Sequence, residues 1–131
     1  MKTGRRDLDA NRWEPFIHTI DFAAGVDWTT ANYLMQVRAT KDAGGSALVD
    51  LTTVGSVSTQ GVNVLGSSTV DGVLTTSVSI RINEATMEGL PEPAELGDDL
   101  VLYWDMQVTP SGGNKMRILE GKFTVKAGVT H

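Results

Sequence analysis

Hydrophobic and polar residues alternate with a period of two along much of this chain. The clearest run extends from Leu100 to Val108, and one face of it carries only large apolar side chains: Leu100, Leu102, Trp104, Met106 and Val108. Successive side chains of an extended strand point to opposite faces, so this pattern predicts a half-buried strand. Shorter runs of the same kind occur at 16–22, 33–39, 47–51 and 78–82. The chain is thereby restricted to a fold made mainly of strands.

The segments between these runs have the composition of turns, except for residues 83–89, which have the pattern of a short helix. Residues 41–46 and 110–114 are rich in Gly, Ser, Asn, Asp and Pro, which favour tight turns. Asn83 is a candidate N-cap for one helical turn over Glu84–Glu88, and Gly89 would end it. Short strands, spaced turns and a single helical turn predict an all-β fold, specifically an antiparallel immunoglobulin-like β-sandwich of about seven strands.

The length of 131 residues suits one domain. Residues 13–131 are expected to form the sandwich, with Phe123 and Val125 in the core beside Trp104. Residues 1–12 carry little apolar periodicity, so we expect an N-terminal arm or a peripheral strand there. Gly121 indicates a bulge or a close backbone approach in the last strand. The Ser/Thr/Gly-rich segment 52–76 is interpreted as a long loop or one to two short strands.

The net charge of −5 opposes nucleic-acid binding, because such proteins need basic side chains to displace counterions. The charges are unevenly spread, however, with a basic beginning and an acidic stretch near residue 95. Either both are solvated surface, or they meet complementary patches on neighbouring subunits. The candidate partner contacts are Lys2, Arg5, Arg6, Arg12, Glu92, Glu95, Asp98 and Asp99.

No segment is apolar enough to suggest a membrane partner or a secretory signal. The basic start is not followed by an apolar region. The longest stretch nearly free of charge, between Asp50 and Arg81, is rich in Ser, Thr and Gly, which is too polar to span a bilayer. We therefore expect synthesis in the cytoplasm and no membrane contact.

Residues that could support catalysis are few. The chain has no cysteine and two histidines, which removes thiolate metal sites and cysteine nucleophiles. His18 lies on an apolar face and is interpreted as a packed or hydrogen-bonded structural residue, while His131 ends the chain. Asp98–Asp99 lacks the alternating ligand spacing of a calcium loop, and Gly112–Lys115 lacks the flanking residues of a phosphate loop. We expect no enzymatic activity, no cofactor and no metal.

Several segments in order resemble a family of small tailed-phage and prophage proteins. They are Gly4-Arg5-Arg6-Asp7-Leu8, Phe16-Ile17-His18-Thr19-Ile20-Asp21-Phe22, Asp27-Trp28-Thr29-Thr30-Ala31, Met35-Gln36-Val37-Arg38-Ala39, Leu51-Thr52-Thr53, Tyr103-Trp104-Asp105-Met106-Gln107-Val108-Thr109 and Arg117-Ile118-Leu119-Glu120-Gly121-Lys122-Phe123-Thr124-Val125. The resemblance covers most of the chain. It implies a virion structural protein with an immunoglobulin-like sandwich, and it supplies no catalytic residues.

The resemblance leaves several roles open. A tail, collar or baseplate subunit, or a connector that anchors fibres, would bind other virion proteins such as tail, portal, collar or fibre subunits, and copies of itself. A capsid decoration or cement protein is an alternative, and a carbohydrate-binding, adhesin-like module is another. Exposed Trp28 or Tyr103 would favour carbohydrate binding, whereas an arm of residues 2–12 lying on another chain would favour assembly in the virion.

Overall fold

The computed structural model describes residues 4–23, 25–40, 47–91 and 98–126. Within these ranges the chain forms nine strands and one short helix. In chain order they are β1 (Gly4–Arg5), β2 (Leu8–Asn11), β3 (Phe16–Phe22), β4 (Asn32–Arg38), β5 (Val49–Val54), β6 (Gly61–Val70), β7 (Val73–Ile82), α1 (Glu84–Glu88), β8 (Leu100–Thr109) and β9 (Met116–Lys126). The predicted all-β, sandwich-like class is confirmed.

The strands form a single curled sheet in the order β1-β9-β8-β4-β5-β6-β7-β3, with β2 also paired to β9. Most neighbours are antiparallel, but β1 and β2 run parallel to β9, and β5 runs parallel to β6. The sheet is therefore mixed, which corrects the prediction that all strands pair antiparallel. The Phe16 ring on β3 meets the Phe123 ring on β9 edge-on at 5.1 Å, so the two ends of the sheet fold over a common core.

The apolar faces predicted from the alternation are the faces that the structure buries. Trp104 on β8 and Phe123 and Val125 on β9 are all buried, as expected. The pairing of β8 with β9 shifts register between Met106 and Gln107, which leaves Ile118 as the extra residue of a bulge. A bulge inserts one residue into one strand of a pair, so the bulge lies away from Gly121.

The segment expected to be a long loop or one to two short strands is instead a long hairpin. Strands β6 and β7 have ten residues each and pair along almost their whole length. The two residues between them, Asp71 and Gly72, have φ angles of 52° and 80°, as a type I′ hairpin turn requires at both central positions. This hairpin and the strands at 4–11 raise the strand number from about seven to nine.

Helix α1 has the predicted bounds and ends at Gly89, and its Met87 side chain is fully buried. The expected side-chain cap is absent, although Asn83 occupies the N-cap position. The Asn83 carboxamide oxygen accepts a hydrogen bond from Arg81 Nε at 2.9 Å, and the Asn83 N–H donates to Gln60 Oε1 at 2.8 Å. Those hydrogen bonds connect the start of the helix to the β6–β7 hairpin.

Candidate functional site

The N-terminal strands lie on their own chain. Strands β1 and β2 pair with β9, and the turn between them crosses Gly121. Trp104 Nε1 donates to the Arg6 carbonyl oxygen at 2.8 Å, and the Lys122 N–H donates to Asp7 Oδ1 at 2.9 Å. Leu8 and Ala10 are buried. The described part of the N-terminal segment is thus an edge of the sheet in its own chain. It does not extend away from the domain as an arm would.

Arg12 is not available as a surface contact. Its side chain is 5% exposed, and its guanidinium donates to the Leu90 and Pro91 carbonyl oxygens at 2.8 and 2.7 Å. These bonds satisfy the buried charge and attach the end of β2 to the loop after α1. The expectation that Arg12 contributes to an exposed basic patch is corrected accordingly.

Arg5 and Arg6 are exposed, and each faces a side chain of the same chain. Arg5 lies 3.6 Å from Asp7, with both side chains more than half exposed; such pairs contribute little to stability. Arg6 Nη1 lies 3.5 Å from His18 Nε2, and the His18 ring stacks on Phe16. Burial, and secondarily the Arg6 charge, lower the pKa of His18. His18 therefore has the packed, hydrogen-bonded environment predicted for it.

The acidic candidates are only partly within the described residues. Asp98 is exposed, and Asp99 Oδ2 lies 3.2 Å from Lys126 Nζ. Glu92 and Glu95, like Lys2, lie outside the described residues. Of the five candidate contacts that the structure describes, Arg12 is buried and Asp99 faces Lys126, so these five do not form one exposed site.

A groove of about 240 Å³ lies on the outer face of β4, β8 and β9. The registers place Tyr103 directly between Lys122 on β9 and Arg38 on β4. Arg38 Nη2 donates to Gln36 Oε1 at 2.6 Å, and Gln36 Nε2 donates to Asp50 Oδ1 at 2.6 Å. These contacts hold the Arg38 guanidinium beside Gln36, which lies opposite Asp105 in the neighbouring cross-strand row.

Two carboxylates stand opposite each other in the next row of the groove. Asp105 pairs in register with Glu120, and like charges in this position repel. Arg117 lies 3.4 Å from Asp105 Oδ2 and 3.6 Å from Glu120 Oε1, which offsets that repulsion. The alternation along β8 predicts that Tyr103 and Asp105 lie on the face opposite Trp104. It does not reveal the groove, because only the strand registers bring the other lining residues together.

Trp28 is buried, so it offers no exposed ring to a sugar. Its side chain is 4% exposed, and it packs near Phe22 at 6.0 Å between ring centroids. Its carbonyl oxygen accepts a hydrogen bond from the Tyr33 hydroxyl at 2.9 Å. Burial, with a smaller contribution from Asp27, raises the pKa of Tyr33 to about 12, so the hydroxyl stays protonated and can donate this bond well into the alkaline range.

Among the described residues, no strand lies beside the outer edge of β6 over most of its length. Strand β5 reaches β6 only at Val62 and Asn63, and within the described ranges no other strand follows on that side. Three apolar side chains of the hairpin are well exposed: Leu65 at 49% in the middle of β6, and Val70 at 51% and Val73 at 39% beside the turn. The hairpin therefore presents both unpaired backbone groups and apolar side chains to solvent.

Metal-binding clusters and membrane-spanning helices are both absent from the described residues. No cluster of three or more His, Cys, Asp or Glu side chains in those ranges is arranged to hold a metal ion. No helix in the same ranges is long and apolar enough to cross a membrane.

Comparison with known proteins gives no family assignment. The chain matches no protein-family model and no curated protein sequence. The resemblance to small tailed-phage and prophage proteins therefore stays a prediction, and a proposal of function depends on the geometry of the β6–β7 hairpin and of the outer groove.

Proposed function

We propose that this chain is a bacteriophage virion structural protein: a tail, collar or baseplate subunit, or a connector that anchors fibres. It acts by protein–protein assembly with other virion proteins and with copies of itself, and its location is the virion. The observation that supports this proposal best is the open edge of β6 from Val64 to Val70.

This edge lacks most of the features by which proteins prevent unwanted strand pairing. Natural edge strands are usually short, charged, interrupted by proline or bulged. Residues 64–70 contain neither a charge nor a proline, and their one irregularity is the register shift between Val64 and Gly66. The strands at the β1/β2 end of the sheet are, by contrast, two and four residues long. An edge left open in this way suits pairing with a strand of a neighbouring subunit.

The position of the hairpin also suits an intersubunit contact. Strand β3 pairs with β7 only as far as Phe22 opposite Thr76, and the Gly25 N–H then donates to the Leu74 carbonyl oxygen at 3.0 Å. Beyond this point, in the described ranges, the two hairpin strands pair only with each other. The exposed Val70 and Val73 lie in this projecting part, where a neighbour would bury them and gain about 25 cal/mol per Å² of apolar surface.

Mass spectrometry of purified particles tests the proposal. Particles induced from the bacterium that encodes the chain are separated on a density gradient, and each fraction is quantified for this chain and for the major capsid protein. We expect a constant ratio between the two proteins across the particle peak. An abundant host cytoplasmic protein is the control and should not follow the peak. Absence of the chain from the particles, or a ratio that varies as the control does, would contradict the proposal.

A further inference from the structure

We propose that the outer groove around Tyr103 binds a carboxylated pyranose sugar, such as a uronic acid residue, with the sugar ring stacked on the tyrosine. This inference goes beyond the assembly role and is independent of it. The groove lies on β4, β8 and β9, whereas the open edge belongs to β6.

The groove offers hydrogen-bond donors and acceptors side by side. Arg38, Arg117 and Lys122 supply only donors, while Asp105 and Glu120 supply only acceptors when ionised. A sugar hydroxyl both donates and accepts, so a polyhydroxylated ring can use both sets. Phosphate offers mainly acceptors, so it cannot pair with Asp105 and Glu120 as the hydroxyl groups of a sugar can. The lining therefore favours a sugar over a small inorganic anion.

The Tyr103 ring gives the groove an apolar surface on which a sugar ring can stack. Tyr103 lies at the centre of a cross-strand row, flanked by Arg38 and Lys122. The electron-rich face of an aromatic ring attracts the polarised C–H groups of one face of a pyranose. The volume of about 240 Å³ is just below the range of roughly 300–1,000 Å³ of drug-sized sites. The groove therefore suits a single sugar ring.

The charge of the lining favours a carboxylated sugar over a neutral one. Four cationic side chains, Arg5, Arg38, Arg117 and Lys122, line the groove with two carboxylates, Asp105 and Glu120. With Asp7 counted beside Arg5, an excess of one positive charge remains. The protein as a whole has a net charge of −5. In the part of the chain that the structure describes, the Lys122 ammonium makes no ion pair, so it can bind a ligand carboxylate next to the Tyr103 ring.

Two glycosides that differ in one group test this proposal. Methyl β-D-glucuronide carries a carboxylate where methyl β-D-glucoside carries a hydroxymethyl group, and each is titrated into ¹⁵N-labelled full-length chain and followed by NMR. We expect amide shifts confined to the strands around Tyr103, with the glucuronide binding more tightly. Lys122→Gln should remove most of the difference between the two sugars.

Variants at Tyr103 test the stacking. Tyr103→Ala should weaken glucuronide binding about tenfold or more, equivalent to about 1.4 kcal/mol, while Tyr103→Phe keeps the ring and most of the affinity. Trp13→Ala removes an exposed aromatic ring outside the groove and is the matched control. The proposal is overturned if neither sugar shifts these amides, or if Tyr103→Phe binds as weakly as Tyr103→Ala. It is also overturned if inorganic phosphate binds as tightly as the glucuronide and Tyr103→Ala leaves both unchanged.

Discussion

At the scale of single residues, Gly121 determines whether the N-terminal strands can lie on β9. A Cβ atom at this position would overlap the Arg6 carbonyl oxygen, far inside van der Waals contact. The same carbonyl oxygen accepts the hydrogen bond from Trp104 Nε1. Because residue 121 has no side chain, the Arg6–Asp7 backbone can pass directly over it. The Arg6 carbonyl oxygen can then accept the hydrogen bond of the buried Trp104 indole N–H.

Substitution of Gly121 by alanine is expected to destabilise the fold. The added methyl group must displace the Arg6–Asp7 backbone, with a cost of about 1–3 kcal/mol as is typical of overpacking. Urea unfolding followed by tryptophan fluorescence measures this change. Gly55→Ala is the control, since a methyl group at residue 55 would have no other atom within 4 Å. Equal stabilities of the two variants would mean that the N-terminal strands do not depend on this contact.

The lowered pKa of His18 predicts that the folded protein loses stability in mild acid. Burial, followed by the charge of Arg6, lowers its folded-state pKa, so the unfolded chain takes up the proton more readily. Neutral His18 contributes fully to the stability of the fold above its pKa in the unfolded chain, about 6.5. This contribution is lost as the pH falls through the lower pKa of His18 in the folded protein. The free energy of unfolding should therefore decrease between about pH 7 and pH 5, and His18→Gln should reduce that decrease.

The pKa of His18 can also be measured directly by NMR titration of its ring proton. Arg6→Gln should raise the pKa only part of the way to its ordinary value, because burial is the larger cause. Arg5→Gln is a suitable control, since Arg5 faces Asp7. A wild-type pKa at or above the ordinary value would contradict the packing of His18 between Phe16 and Arg6.

At the scale of elements, the β6–β7 hairpin makes the most specific prediction. Lysine on an edge strand opposes pairing with another strand, so Val70→Lys should leave the monomer folded and lower the amount incorporated per particle. A tenfold reduction corresponds to about 1.4 kcal/mol of binding free energy. Val26→Lys changes a residue of the same type, 49% exposed and outside the strands, and should incorporate normally. Equal incorporation of the two variants would exclude the hairpin edge as the contact.

Elements with strong periodicity could be predicted from the sequence, and those that depend on distant pairing could not. Strand β3 and helix α1 have the predicted bounds, and β8 extends one residue further, since local alternation and punctuating residues determine them. The sequence does contain a typical hairpin turn, Asp71-Gly72 between Val70 and Val73. The many Ser and Gly residues around it obscured this signal. Strands β1 and β2 are too short to have a clear period, and their pairing with β9 depends on Gly121.

The candidate surfaces were less predictable than the elements. Arg12 has the charge of a surface residue, and only the fold brings it to the Leu90 and Pro91 carbonyl oxygens. The outer groove needs the registers of β4, β8 and β9 before Arg38, Tyr103 and Lys122 become neighbours. A change of one residue in register would turn each of these side chains to the opposite face, so no pattern within a single strand reveals the site.

At the scale of the whole molecule, the curled sheet separates two surfaces of different chemistry. The outer face of β4, β8 and β9 is charged and holds the groove, whereas residues 61–80 of the β6–β7 hairpin carry a single charged side chain, Asp71 at the turn. A subunit built in this way can pair with a neighbour along one edge while the groove stays open. We therefore propose that assembly takes place through the hairpin and sugar recognition in the groove.

Cryo-electron microscopy of the intact particle tests the central claim most directly. The measurement is whether the backbone of residues 64–70 is hydrogen-bonded to a strand from a neighbouring subunit. We expect such pairing, with Leu65 and Val70 buried at the contact. A reconstruction in which the chain is present and this edge faces solvent in every copy would contradict it.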